Sequence, residues 1–414
     1  MLTTSLLALL LGVAQGPADT LRLADALLLA RRANPTLAAA RAAAVAAAAR
    51  IGPAGAWPDP ELQLGLMNRM AGDFGSTADP MTMNQLQVMQ MLPWPGKLGH
   101  ARAAARHIAA AQGAGVGEQE RMLAARVQMA YYDVAYADRA LSVMRRTLEL
   151  LRNFRDVATQ MYATGSGAQQ DALRAQVEVA RMSEEFTRME QDRLAGGLRL
   201  NALLGRAATS TVGALELPDS SADTLPSVDT LIAWAESRRP ALAAGRERVA
   251  AAETSLAGAR LEILPDLRLG FAYQQRPAFP AMVSVMVGVN VPLFAGARQL
   301  AARREMAAMR DMSQAELLDL RNETSAQVVE LRARAEQDRN LARLYRTSVL
   351  PQARASVDAA LAGYRVGRVT FMQLIDDQMT VNRYETESYR LAADYQQALG
   401  ELEALVGRAV EALP

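Results

Sequence analysis

Few side chains in this sequence have the chemistry that catalysis or metal binding requires. Cysteine is absent and there are only two histidines, His100 and His107, which lie seven residues apart on one face of a predicted helix. The sequence contains no glycine-rich phosphate loop and no nucleophile elbow. We interpret the histidines as surface residues. The sequence therefore predicts a protein that is not an enzyme, with no cofactor and no resident metal.

Methionine thioethers are the other groups with distinctive chemistry, because they bind soft ions such as Cu(I). One set shares a single parity within a predicted strand, and consists of Met81, Met83, Met89 and Met91. Methionine is also a common gap filler in protein cores. A path that held metal tightly would release it slowly, so we favour the packing role over a metal relay.

Composition and charge argue against nucleic acid as a partner. The chain has 414 residues, of which 50% are hydrophobic and 21% charged, as expected for one large ordered domain or two smaller ones. The 45 basic and 44 acidic residues leave a formal net charge of +1. Such a balanced chain lacks the positive surface that neutralises a phosphate backbone.

The chain begins with an apolar segment that is typical of exported proteins. Residues 2–13 carry no charge, and the small residues Ala14 and Gly16 follow them. About a dozen residues are too few to span a bilayer as a helix. We expect residues 1–16 to be a signal peptide.

The remaining chain contains an internal repeat, which predicts its organisation. Four pairs of segments realign in the same order, at offsets of 205 and then 202 residues. A stretch rich in Ser, Thr, Asp and Pro separates the two halves. The matching segments are Asn34-Pro35 with Arg239-Pro240, residues 60–65 with 265–270, residues 162–165 with 364–367, and residues 203–206 with 405–408. We predict a first repeat at 17–206, a linker at 207–229 and a second repeat at 230–414.

Each repeat is predicted to contain a helix, two strands, a long helix and a return helix. The strands alternate apolar and polar residues over about ten positions, the length that a tilted barrel strand needs to cross a membrane. Leu62, Leu64 and Leu66 share one face, and the four methionines fall on the opposite, polar face. Four strands cannot close a barrel with a usable bore, so several chains must contribute. A soluble β-sandwich is the alternative, although no second sheet is evident for it.

The predicted helices are too long for one globular core. Residues 97–163 contain no proline, and 67 helical residues would extend about 100 Å. Apolar residues in this helix recur at steps of three and four, as a coiled-coil seam requires. The seam consists of Val127, Ala130, Val134, Ala137, Leu141, Met144, Leu148 and Leu151. Three glycines at 113, 115 and 117 predict a bend or a loosened turn near the start of this helix.

This pattern resembles the TolC-type outer-membrane efflux proteins over nearly all of the chain after the signal. The resemblance rests on the strand starts Pro58-Asp59-Pro60 and Pro265-Asp266, the strand exits at 92–97 and 291–296, two Tyr-x-x-Gly turns, and the Leu-Leu-Gly and Leu-Val-Gly helix ends. It implies an α+β membrane protein whose long antiparallel coiled-coil hairpins form an α-barrel. Each chain of a trimer would add four strands to one twelve-stranded β-barrel.

The resemblance also implies a function and a set of partners. The protein would be the exit duct of a tripartite efflux pump in the outer membrane of a Gram-negative bacterium, extending into the periplasm. Its partners would be two further copies of itself, a periplasmic adaptor, a proton-driven inner-membrane transporter and outer-membrane lipid. The Pro-Trp-Pro-Gly-Lys exit at 93–97 looks closest to the heavy-metal branch, which makes metal ions a candidate cargo.

Residues near the helix reversals acquire roles from the same resemblance. The Tyr-x-x-Gly turns correspond to periplasmic tips where the adaptor docks, and the residues carried over are Tyr162, Gly165, Gly367 and Arg368. Both glycines could instead be simple helix caps.

A closing device near the tips is implied as well. In the family, aspartates six and nine residues after the second tip glycine narrow the entrance. Here the ninth is Asp376, followed by Asp377, while the sixth is Gln373, so only one of two acidic rings is expected. Asp171 and Tyr364 are implied to form a hydrogen bond that latches the tip. The alternative for Asp376 is an ordinary solvated helix face.

A periplasmic adaptor of such a pump is the alternative function, because it also presents a long coiled-coil hairpin. An adaptor normally has one hairpin set between β-rich modules. This chain is predicted to have two hairpins and only four strands, which favours the duct.

Overall fold

The protein folds into two compact units, each built from segments of both predicted repeats. The computed structural model describes residues 21–75, 79–218, 225–277 and 279–410. The helical unit contains the described parts of residues 1–38, 120–237 and 325–414, and the sheet unit contains those of 39–119 and 238–324. The unit boundaries fall inside helices. Sequence repeats and compact units are therefore different divisions of the chain, and the repeat boundaries stay a prediction.

Helices and strands follow the same order in both halves of the described chain. The first half forms α1 (Leu23–Ala33), α2 (Pro35–Ala49), α3 (Ile51–Ala54), β1 (Glu61–Met67), β2 (Met83–Leu92), α4 (Lys97–Ala163) and α5 (Gln169–Leu203). The second half forms α6 (Val228–Arg238), α7 (Pro240–Leu261), β3 (Asp266–Arg276), β4 (Phe279–Asn290), α8 (Gln299–Leu344), a π-helical turn (Tyr345–Val349), α9 (Leu350–Arg365) and α10 (Phe371–Val406).

Polar side chains start the second helix of each half at the predicted Pro-containing dipeptides. The Oδ1 atom of Asn34 accepts hydrogen bonds from the amides of Thr36 and Leu37, at 2.9 and 3.4 Å, and thereby satisfies free amides of α2. In the second half a distant carboxylate takes this role, since Glu118 of α4 accepts a 3.1 Å hydrogen bond from the Ala241 amide of α7. The same structural task is met by local chemistry in one repeat and by a tertiary contact in the other.

The sheet unit contains one antiparallel sheet with the order β1-β2-β3-β4. Its register places Leu62, Val88, Phe271 and Val285 in one row across the four strands. The opposite face carries Gln63, Gln87, Ala272 and Ser284 in the corresponding row. The alternation predicted from the sequence is thus confirmed, and it separates an apolar face from a polar one.

A hydrophobic cluster in the helical unit is shared by α4, α5, α9 and α10. Met144, Leu148 and Leu151 of the predicted seam are buried in it, together with Met182 of α5 and Leu374 of α10. Because all four helices contribute, the two helical hairpins share this cluster, and further clusters join α6, α8 and α10. This confirms the predicted pairing of long helices through apolar seams.

The loosened turn predicted at the three glycines is not present, because α4 is helical from Lys97 to Ala163 without interruption. In the sheet unit, a Cβ atom at Gly117 would make an ordinary van der Waals contact with the Pro240 side chain, at 3.4 Å. The irregular turn lies elsewhere, at Tyr345–Val349 directly before α9. Pro351 follows this turn, and its lack of an amide hydrogen explains why regular α-helical bonding is relaxed there.

Two predicted segments fall wholly or partly outside the described residues. The proposed signal peptide at 1–16 lies outside them, and so do residues 219–224 of the proposed linker. Within the described part of the chain, no helix is long and apolar enough to cross a membrane.

Candidate functional site

The two helix reversals of the helical unit have the same backbone geometry. Gly165 and Gly367 both have a φ of +72°, in the left-handed region that residues with a Cβ atom rarely adopt. Each glycine amide donates a 3.0 Å hydrogen bond to the carbonyl three residues earlier, on Tyr162 and Tyr364. The next amide, of Ser166 or Arg368, donates to the carbonyl five residues earlier. These bonds make a Schellman cap at both reversals and explain why glycine occurs at both.

The tyrosines of the two turns differ in their surroundings although they occupy equivalent positions. Tyr162 is 46% exposed, whereas Tyr364 is only 7% exposed and belongs to the hydrophobic cluster. The Tyr364 ring centroid lies 5.4 Å from that of Phe371, at the start of α10. Tyr364 therefore packs the second reversal, while Tyr162, Gly165, Gly367 and Arg368 are all exposed. Their role in docking stays a prediction.

Asp171 lies near Tyr364, as the predicted latch requires. Burial raises the pKa of the Tyr364 phenol, and the negative charge of Asp171 raises it further. No hydrogen bond joins the two side chains among those of the described residues. Asp171 is thus close enough to Tyr364 for its charge to raise the pKa of the phenol. The latch itself stays a prediction.

The acidic residues predicted to line the entrance have different environments at the start of α10. The Asp376 side chain is exposed, and within the described chain its carboxylate makes no hydrogen bond or ion pair. Asp377 is partly buried and accepts a 3.0 Å hydrogen bond from the Ser356 hydroxyl of α9. Gln373 is exposed, and its backbone amide donates a hydrogen bond to the Thr370 hydroxyl, which caps α10. Of these two aspartates, Asp376 therefore has the free carboxylate in the described chain.

A groove of mixed charge surrounds Asp376. Its lining comes from α4, α5 and α10 and includes Arg174, Arg181, Glu185 and Arg383. Arg174 is already paired with the buried Glu178, at 2.9 Å. An ion that reaches Asp376 in this unit therefore meets charges of both signs.

Polar bridges between α4 and α10 were not predicted from the sequence. Arg146 donates a 2.6 Å hydrogen bond to Glu385, which also forms a 3.3 Å ion pair with Arg354 of α9. One helical turn away, Thr147 donates to the buried Asn382 at 3.0 Å. A polar residue next to an apolar seam was the available signal, since Thr147 directly precedes Leu148. These bridges join the hairpin of the first repeat to that of the second.

The sheet unit places most of the predicted methionines on its polar face, with one correction. Met83, Met89 and Met91 belong to β2, but Met81 precedes the strand. An Asx turn holds Met81 outside the strand, because its amide donates a 2.8 Å hydrogen bond to Asp79. Met286 of β4 joins the set, since a Cβ atom at Gly270 would lie 3.0 Å from Met286 and 3.6 Å from Met89. Alternation in β4 puts Met286 on the same face as Ser284, but only the pairing of the strands places it in one row with Gly270 and Met89.

Comparisons with known proteins agree on one family and one fold. A family model described as "Outer membrane efflux protein" matches residues 26–206 and 231–408. The structure is similar to that of CusC, with a TM-score of 0.81 and 15% identity over 96% of each chain. It is also similar to a membrane protein from Pseudomonas aeruginosa, with a TM-score of 0.80 and 20% identity over 93% of this chain and 92% of that one.

A third similar structure is the outer membrane protein VceC from Vibrio cholerae. Its TM-score is 0.79 and its identity 17%, over 94% of this chain and 97% of that one. At these identities the likeness concerns the fold. No curated protein matches the sequence significantly.

Proposed function

Because the chain belongs to the outer membrane efflux protein family, we propose that it is the exit duct of a tripartite efflux pump. Family membership makes it an outer-membrane efflux channel rather than an enzyme or a periplasmic adaptor. The observation that carries the proposal is a sheet with one apolar and one polar face, in a chain whose other unit consists of paired long helices. A sheet of this kind suits a wall between lipid and water.

The edges of the sheet support assembly from several copies. In the described chain β1 and β4 each have only one neighbouring strand, so each leaves one row of backbone groups unpaired. In lipid such groups must find partners. Pairing β4 of one copy with β1 of the next would satisfy them, and three copies would close a barrel of twelve strands.

The same proposal assigns the remaining partners. The exposed turns around Gly165 and Gly367 would meet a periplasmic adaptor, which would connect the duct to a proton-driven inner-membrane transporter. The apolar face, where Val285 is 75% exposed, would contact outer-membrane lipid. Substrate would pass through the duct without chemical change.

Metal ions are the cargo that we propose on the resemblance to the heavy-metal branch. The Pro-Trp-Pro-Gly-Lys exit supports this choice, and the methionines on the polar face are compatible with brief contacts to soft ions. A deletion strain should become sensitive to copper and silver salts and recover when the gene is restored. Sensitivity to organic compounds alone would contradict a metal cargo and leave the duct function intact.

Crosslinking in detergent tests the assembly. The purified protein should crosslink to three chains and no further, and the trimer should change its mobility on heating. A water-soluble monomer that needs no detergent would contradict the proposed duct.

A further inference from the structure

Asp338 of α8 is an unusual acidic residue, because it is buried without adequate compensation for its charge. Only 7% of the residue is exposed. Its Oδ2 atom is buried and has no hydrogen-bond partner among the described residues, and the Arg334 Nε atom on the same helix lies 3.9 Å away. A buried carboxylate needs close hydrogen bonds or a cation to offset the loss of hydration.

Arg390, one of the two cations that act on Asp338, is shared with other acids. On α10, Arg390 forms a 2.8 Å ion pair with Asp394 and a 3.3 Å ion pair with Asp133 of α4. Its guanidinium also lies over the Tyr136 ring, at 5.1 Å from the centroid. Gln397 donates a 2.9 Å hydrogen bond to Asp133, but it brings no charge. Arg390 is thus committed to two other carboxylates, and Asp338 keeps a long 3.9 Å ion pair with Arg334 of its own helix.

Burial and these charges have the net effect of raising the pKa of Asp338. Burial raises the pKa of its carboxyl, and the negative charge of Asp394 raises it further. The positive charges of Arg334 and Arg390 lower this pKa, but their effect is smaller. Asp338 therefore retains a proton at a higher pH than an exposed aspartate does.

We propose that Asp338 is a proton-binding site that makes the packing of α8 on α10 depend on pH. The carboxyl binds a proton while the two helices are packed, and it releases this proton to water when their separation exposes it. By linkage, acid favours the packed state. The contact between α8 and α10 weakens as the pH rises from the pKa of an exposed aspartate through the raised pKa of Asp338.

The chain connects Asp338 to the second helix reversal. Beyond Asp338, α8 continues through the π-helical turn into α9, which forms a hairpin with α10. A looser contact between α8 and α10 would allow this hairpin to move about the irregular turn. The inference concerns the helical unit and does not depend on the cargo or on the pump partners.

Infrared spectroscopy of the purified full-length protein tests the site directly. A protonated carboxyl has a carbonyl stretching band that a carboxylate lacks. The Asp338 band is the one that disappears in Asp338→Asn, and the band that disappears in Asp319→Asn is the control, since Asp319 is an exposed aspartate on the same helix. The Asp338 band should titrate at a higher pH than the Asp319 band. Equal midpoints for the two residues would overturn the proposal.

A second variant keeps the test decisive if Asp338→Asn fails to fold. Asp394→Asn removes the negative charge that raises the pKa of Asp338, so the carboxyl band that titrates at the highest pH should shift to lower pH. A purely structural role for Asp338 predicts no such shift, and an unchanged midpoint would contradict the proposal.

Thermal unfolding measures the consequence for stability. The wild-type melting temperature should fall as the pH rises from the pKa of an exposed aspartate through the raised pKa of Asp338, and Asp338→Asn should make this fall smaller. Asp319→Asn should leave the fall unchanged. An equal pH dependence in all three proteins would mean that Asp338 contributes nothing to it.

Discussion

Asp376 and Asp377 are adjacent residues that the fold places in different environments. Successive residues on a helix point about 100° apart, so the two side chains cannot face the same axis. Asp377 is turned toward α9, where it accepts the Ser356 hydroxyl, and Asp376 remains exposed and unbonded in the described chain. This arrangement favours Asp376 as the residue that would meet ions at the entrance of a trimer.

Asp376→Asn should reduce cation preference and weaken block by multivalent cations in single-channel recordings. One substitution changes three charges around one axis, so its effect should exceed that of an isolated surface carboxylate, which salt screens within about 8 Å. Asp377→Asn is the matched control and should leave selectivity unchanged. If only the Asp377 variant changes selectivity, the ring is assigned to the wrong residue. If neither does, acids do not gate this entrance.

At the scale of elements, both helix reversals use a glycine in the left-handed region, although the surroundings of the two turns differ. A Cβ atom at Gly165 or Gly367 would meet no atom within 4 Å, so the φ of +72° is the only constraint at either position. Alanine should therefore be tolerated at a cost of about 1 kcal/mol per site. Proline should not, because its φ is fixed near −65° and it lacks the amide hydrogen that completes the cap.

Gly165→Pro and Gly367→Pro should abolish efflux while trimer yield stays close to that of the wild type. The damage should be confined to the exposed turns, which are the proposed adaptor contacts. Efflux from a complemented deletion strain and crosslinking of the same membranes measure the two quantities. The alanine variants are the controls, and normal efflux in both proline variants would remove the turns from adaptor docking.

The two faces of the sheet allow a matched test on neighbouring residues. Val285 lies on the apolar face and Ser284 on the polar face of β4. In a lipid-embedded barrel, arginine at Val285 should destabilise folding by about 2–4 kcal/mol near the bilayer centre. Arginine at Ser284 should have a much smaller effect, because it would face water.

Folding of the two variants into lipid vesicles, followed by denaturant titration, measures this difference. Val285→Arg should lower the free energy of unfolding and Ser284→Arg should leave it nearly unchanged. A greater loss in the Ser284 variant would mean that the faces are reversed.

At the scale of the whole molecule, neither half of the chain contains a complete compact unit. The helical unit draws α4 and α5 from the first half and α9 and α10 from the second, and the sheet unit takes two strands from each. The covalent connection between the two halves should matter less than these contacts, because the entropic gain from joining two segments of a chain is modest. The fold should therefore tolerate a break in the predicted linker.

Residues 1–218 and residues 225–414, the latter with an added export signal, should assemble only when they are produced together. Co-purification and trimer formation in detergent measure the outcome. Each fragment expressed alone should aggregate or be degraded, since half of each core is missing. A fragment that folds alone would show that the halves are independent domains.

The sequence by itself determined the features that depend on local geometry and periodicity. Alternation over two residues identified the strands and their faces, and steps of three and four identified the buried seam of α4. Glycine at equivalent positions identified both reversals, because left-handed backbone excludes most other residues. These signals need no knowledge of distant partners, and so the fold class was predictable.

Only the tertiary structure decided which of several equivalent residues acquires a particular environment. Tyr162 and Tyr364 match in the repeat, yet only Tyr364 is buried, because Phe371 and α5 pack around it. Likewise Asp338 resembles any helical aspartate in the sequence. Its burial, and the pairing of Arg390 with Asp133, arise from helices that are far apart along the chain. Burial and charge pairing are sums over such distant contacts, which local sequence patterns do not specify.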